Sequence, residues 1–97
     1  MGGGGGPDPC DLTEQTNVNS VDRKVLATLQ IGSVLSVVKN AGPPVRLLVQ
    51  TSAGATLGSI TSPSLAQILS CIDAGHQYQA EIRSISGGAV QVSIERR

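Results

Sequence analysis

The stretch VRLLVQTSAGATLGSITSPSLAQILSCIDAGHQYQAEIRSISGGAVQVSI, residues Val45 to Ile94, decides the fold. It reads strand, turn, strand, capped helix, strand, tight turn, strand, with few residues to spare. In Val45–Gln50, Val45, Leu47 and Val49 share one face because side chains alternate along a strand. Leu48 lies on the other face, so that face is expected to be partly covered as well. Ser52-Ala53-Gly54 turns the chain into a second strand, Ala55–Ile60. Gly58 inside that strand predicts a bulge, or a close backbone approach where a small barrel closes.

The helix signal follows. Ser62 fits the N-cap, and Pro63 fits the first helical position, where its missing N–H costs nothing. Leu65, Ile68, Leu69 and Ile72 then recur at i, i+3, i+4 and i+7, one apolar stripe. Gly75 supplies the left-handed residue that ends a helix. The expected helix therefore spans about residues 63–74. Beyond it, Tyr78, Ala80 and Ile82 alternate with Gln79, Glu81 and Arg83. The alternation slips at Ser84-Ile85, which predicts another bulge. Gly87-Gly88 fits a two-residue hairpin turn, and Val90, Val92 and Ile94 complete the last strand.

Upstream, Ser33–Val38 is a further strand, and Lys39–Pro44 is the loop that leads into Val45. Val25–Leu29 reads as a short helical or irregular lead-in, with Ser20 or Asp22 as its cap, and a short strand is the alternative. The fold expected from these elements is mainly β: a small, partly open five-stranded barrel with one short α-helix plugging an end. No repeated βαβ rhythm is present, which removes a doubly wound sheet. Residues 1–22, glycine- and proline-rich and then polar, are expected to be a flexible arm, and residues 23–97 the single domain.

Composition narrows function by exclusion. The 97 residues carry seven Lys+Arg against seven Asp+Glu. A domain that grips a nucleic-acid backbone usually shows a basic excess. No apolar run approaches the length of a membrane span, about 18 residues. The N-terminus lacks the basic and apolar regions of a signal peptide, so the expected location is cytoplasmic. There the two cysteines, Cys10 and Cys71, are expected to be free thiols, with a Cys10–Cys71 disulfide as the alternative. Two cysteines and one histidine without ligand spacing do not make a structural zinc site, and no cofactor motif is present.

Catalytic candidates fare no better. His76, the sole histidine, follows the helix end without a nucleophile beside it, as a surface residue near a helix C-terminus would. Cys71 has no identifiable base or oxyanion site and reads as a core thiol. Ser59, Ser62 and Ser64 surround a helix start, but no P-loop ending accompanies them and capping accounts for them. The chain is therefore expected not to be an enzyme. Among binding candidates, Tyr78 is the sole aromatic residue, where stacking platforms for single strands use several. Lys39, Arg46 and Arg83 could form a small basic face, and a solvated sheet face explains them equally.

Three motifs within Val45–Ile94 carry a resemblance. They are Ala53-Gly54-Ala55-Thr56-Leu57-Gly58-Ser59-Ile60, then Pro63-Ser64-Leu65-Ala66, then Gly75-His76-Gln77-Tyr78-Gln79-Ala80-Glu81-Ile82. In this order they resemble the HIRAN domain, over about residues 34–95 of the chain. The resemblance implies a small β-barrel, and in some members binding of the 3′ end of single-stranded DNA. That pocket uses an Asn-Pro-Tyr-Asp type loop before the strand matching Val45–Val49. Here Lys39-Asn40-Ala41-Gly42-Pro43-Pro44 stands in its place. Asn40 matches the asparagine; the aromatic and the aspartate are missing.

The resulting expectation is a non-catalytic binding module with a protein partner or self-association, working through an exposed sheet edge, the Gly/Pro loop or the N-terminal arm. A HIRAN-like reader of single-stranded DNA ends is the alternative. The candidate ligand-binding residues are Lys39, Asn40, Arg46, Tyr78 and Arg83.

Overall fold

The computed structural model describes residues 8–97. Eight elements follow in order: β1 (Thr13–Asn19), α1 (Arg23–Leu26), β2 (Val34–Asn40), β3 (Arg46–Gln50), β4 (Thr56–Ile60), α2 (Leu65–Asp73), β5 (Tyr78–Ser86) and β6 (Ala89–Arg96). The six strands form a closed, wholly antiparallel barrel in the order β1-β4-β3-β2-β5-β6.

The sixth strand corrects the expected partly open five-stranded barrel. β1 lies in the segment read as part of a flexible arm, and it closes the barrel. Thr13–Asn17 pair with Glu95–Gln91 of β6, and Val18 and Asn19 pair with Ile60 and Ser59 of β4. Alternation in β1 is masked by polarity. Its more buried positions are Glu14, Thr16 and Val18, and only Val18 is apolar. Residues 8–22 therefore belong to the domain, while residues 1–7 of the expected arm lie outside the described residues.

The core is aliphatic except for Tyr78. Leu35, Leu47, Val49, Leu57, Ile60, Ile68, Ala80, Ile82, Val90, Val92 and Ile94 are all buried. They are the inward positions of alternating strands plus the centre of the helix stripe. Fully burying one such aliphatic side chain contributes roughly 1.5–3 kcal/mol.

Both expected bulges are present. The β3–β4 register shifts so that Val49 faces Gly58 and Gln50 faces Thr56, leaving Leu57 as the extra residue. The β5–β6 register shifts between Ile82 and Ser84, which leaves Arg83 unpaired. Gly58 also answers the close-approach reading. A Cβ there would lie 2.5 Å from the Asn19 carbonyl oxygen and 2.6 Å from Val18 Cγ1. Only glycine lets β1 cross so near β4.

α2 begins at Leu65, with Ser64 rather than Ser62 at the N-cap position and no side-chain capping bond from it, so Pro63 lies before the helix. Ser62 still acts at its entry, its Oγ accepting from the Ser64 amide at 3.2 Å and its carbonyl from the Leu65 amide at 3.0 Å. The exit is a Schellman motif around Gly75 (φ 102°): the His76 amide donates to the Cys71 carbonyl at 3.0 Å, and the Gly75 amide to the Ile72 carbonyl at 2.9 Å. A second, shorter helix, α1, stands where the lead-in was expected. Asp22 caps it, Oδ1 accepting from the Lys24 amide at 2.9 Å. No helix among the described residues is long and apolar enough to cross a membrane.

The segment before β1 forms a strap over the barrel end that α2 covers. Cys10 and Cys71 are joined in a disulfide, their Cα atoms 5.6 Å apart and 61 residues apart in sequence. This corrects the expectation of free thiols, because spacing along the chain does not reveal which ends a barrel brings together. Three more bonds hold the strap: the Tyr78 hydroxyl donates to the Cys10 carbonyl, Gln67 Nε2 donates to the Pro9 carbonyl, and Arg96 Nη1 donates to Asp8 Oδ2 at 2.6 Å. The Arg96 guanidinium, helped by the Cys10 amide, holds the Asp8 carboxyl below its usual pKa.

Candidate functional site

β2, β3, β4 and β1 lie side by side, so outward residues at one level form a row across the barrel wall. Asn40 stands directly opposite Arg46. Leu47 faces Ile60, which carries Arg46 to the level of Thr61 on the other side. Thr61 Oγ1 in turn accepts from Asn19 Nδ2 at 2.7 Å. Asn40, Arg46, Thr61 and Asn19 thus run as a polar band over four neighbouring chain segments.

A pocket of about 320 Å³ opens on this band, lined by Asn19, Ser20, Val45, Arg46, Ser59, Ile60, Thr61 and Leu65. Arg46 is its sole charged lining residue and makes no ion pair among the described residues. Val45, 45% exposed, is one of three large apolar residues left open to solvent. Ser20 adopts a left-handed backbone (φ 55°), the sole non-glycine residue described to do so. That conformation costs roughly 1–2 kcal/mol for an L-residue, and such strain concentrates at functional positions. Chemically the pocket offers one guanidinium, several hydroxyls and an apolar wall. It has no nucleophile–base pair.

The five expected ligand-binding residues fall at three places: Asn40 with Arg46, Lys39 with Tyr78, and Arg83 alone. Asn40 and Arg46 belong to the band, where Asn40 Oδ1 also accepts from the Gly42 amide at 3.0 Å. Lys39 points the other way along β2. Its Nζ pairs with Asp73 Oδ1 at 2.7 Å and, with Ile72, His76, Arg97 and the edge of Tyr78, it lines a different pocket of about 360 Å³. Arg83 sits in the β5 bulge, beside Glu81 at 3.6 Å. Val37 faces Tyr78 across β2 and β5, so Lys39 and Arg83 lie on opposite ends of the barrel. At roughly 3.3 Å per residue they are on the order of 20 Å apart, and no shared basic face exists.

Tyr78 is corrected outright. It is 1% exposed, a core residue whose hydroxyl anchors the strap. Burial raises its phenol above the usual pKa. The alternation that made Tyr78 an inward residue was the better guide, and its being the sole aromatic was no sign of a binding role. Sequence reasoning missed Asn19, Ser20, Ser59 and Thr61. Only the closure of β1 onto β4 brings the first two to the others; Gly58 marks the close approach but not the strand that makes it.

No family model matches the chain, and no curated protein does. Among solved structures, a protein from Lactobacillus plantarum determined as a structural genomics target superposes with a TM-score of 0.75. The match covers 89% of this chain and 96% of that one at 18% identity, so what the two share is the small β-barrel fold.

Proposed function

We propose that this protein is a non-catalytic binding module that holds a protein partner at the Arg46 face. The observation that carries the reading is the pocket between β1, β3, β4 and the start of α2, where a guanidinium without an ion pair among the described residues lies beside exposed Val45. Arginine is enriched at protein contacts and their hot spots, and Val45 gives the guanidinium an exposed apolar neighbour. Barrel closure removes the free sheet edge that strand addition would need, which leaves this face and the Gly/Pro loop beside it as the contact surface. The Cys10–Cys71 disulfide favours an oxidising compartment over the cytoplasm.

Binding of single-stranded DNA ends has less to draw on. With Tyr78 in the core, the chain has no surface aromatic for a base to stack on.

A photoreactive amino acid at position 45 tests the reading in cells of the native source. The expected outcome is one dominant crosslinked protein, lost in Arg46→Glu and retained in Arg83→Glu. If position 45 captures no more than a control probe at Gln79, the Arg46 face is not the contact surface.

A further inference from the structure

We infer that the Arg46 pocket recognises an acidic peptide segment, one carboxylate set beside an aliphatic side chain; this rests on the protein-binding reading above. The charge balance at the opening is one-sided. Arg46 is its sole charge, and no carboxylate lines it. Ser20, Ser59 and Thr61 line the same opening, and their hydroxyls can donate to an anion held there. A guanidinium presents two parallel N–H groups in the spacing of a carboxylate's two oxygens. Arg46 comes to this position without a competitor, unlike Lys39, which is engaged by Asp73, and Arg96, which is engaged by Asp8.

The remaining wall supplies the second half of the ligand. Val45 and Leu65 make an apolar side to the same opening. A free inorganic anion would leave that side wet. An acidic residue next to Leu, Ile or Val fills both halves. The volume of about 320 Å³ lies at the small end of ligand sites, roughly 300–1,000 Å³, which suits two or three side chains of an extended segment. A nucleic-acid strand would bring phosphates without the aliphatic group and would meet a single cation.

Panning a displayed random heptapeptide library on the oxidised protein tests this. Enriched sequences are expected to carry Asp or Glu within two positions of an aliphatic residue. Synthetic versions of those peptides should bind Arg46→Glu and Arg46→Gln about ten- to a hundredfold more weakly, and Arg83→Glu unchanged. Thermal melting of each variant confirms that it folds. Repeating the panning on Arg46→Glu should turn the preference toward Lys and Arg. The inference is overturned by enrichment of sequences without acids, by no enrichment, or by acidic peptides indifferent to Arg46. It is overturned equally by an oligothymidine strand that binds through Arg46 more tightly than any peptide. In each of these cases the crosslink at position 45 still reports separately on whether the face meets a protein.

Discussion

The two flanks of α2 are built in opposite ways. On one, Ser64, Gln67 and Cys71 recur at i, i+3 and i+7, and each is tied to the N-terminal segment. Ser64 donates to Glu14 at 2.8 Å, Gln67 donates to the Pro9 carbonyl, and Cys71 is bonded to Cys10. On the other flank, Leu65 opens onto the Arg46 pocket, where no ion pair or disulfide among the described residues spans the gap. The strap flank fixes the helix. The pocket flank is left with apolar surface and a free guanidinium. Held from one side, the helix can present Leu65 at a constant position on the other, and preorganisation of that kind reduces the ordering cost of binding.

The contrast predicts large stability effects at the strap and small ones at the pocket. Replacing Cys10 and Cys71 together with Ala, or reducing the bridge, frees a loop of 61 residues. Loop entropy puts the loss near 4 kcal/mol, readable as a lower denaturant midpoint that reducing agent no longer changes in the double variant. An equal midpoint in both redox states would break the comparison at its root. Gly58→Ala comes next. Its Cβ meets the Asn19 carbonyl oxygen and Val18, and such overpacking costs about 1–3 kcal/mol.

Tyr78→Phe removes one hydrogen bond to the Cys10 carbonyl and should cost about 1 kcal/mol. It also carries a pH signature. Burial raises the folded phenol's pKa above the unfolded value of about 10. The stability from the neutral phenol is therefore complete below pH 10 and is lost as pH rises through the folded pKa. Alkaline unfolding, followed through the ultraviolet absorbance of the one tyrosinate, should move to higher pH in Tyr78→Phe when monitored by circular dichroism instead. At the acid end the sign reverses. The Asp8 carboxyl is held low by Arg96, so its contribution is present above about pH 4 and lost as pH falls through the folded pKa. Asp8→Asn should flatten that part of the pH–stability curve. Smallest is Arg46→Glu, expected within about 0.5 kcal/mol of the parent. A larger drop would mean that the pocket residue supports the fold after all.

Strands whose inward positions are apolar were legible in the sequence. So were the α2 stripe, the Gly75 exit and the Gly87-Gly88 turn, because each is a local pattern with a local cause. β1 was not legible, since Glu14 and Thr16 occupy inward positions and leave Val18 as the sole apolar mark. With β1 went barrel closure, the reason for Cys10 to meet Cys71, and the side of the pocket made by Asn19 and Ser20. Asn40 and Arg46 were reached without it because they face each other across one hairpin. Grouping Lys39 and Arg83 with them failed because a basic residue's place on a barrel depends on strand direction and register, which composition does not carry.

The disulfide also sets how the molecule bears load. A pull applied to residues before Cys10 passes directly into Cys71 and bypasses the 61-residue loop that holds β1 to β4. Within residues 10–97, only the 26 that follow Cys71 (97 − 71) can then be drawn out. At about 3.3–3.6 Å per residue their extended length is roughly 90 Å, where the same chain without the bridge would yield more than three times as much. The half of the barrel wall that carries the Arg46 face lies inside the covalent loop, so tension through the N-terminal segment leaves it unstretched.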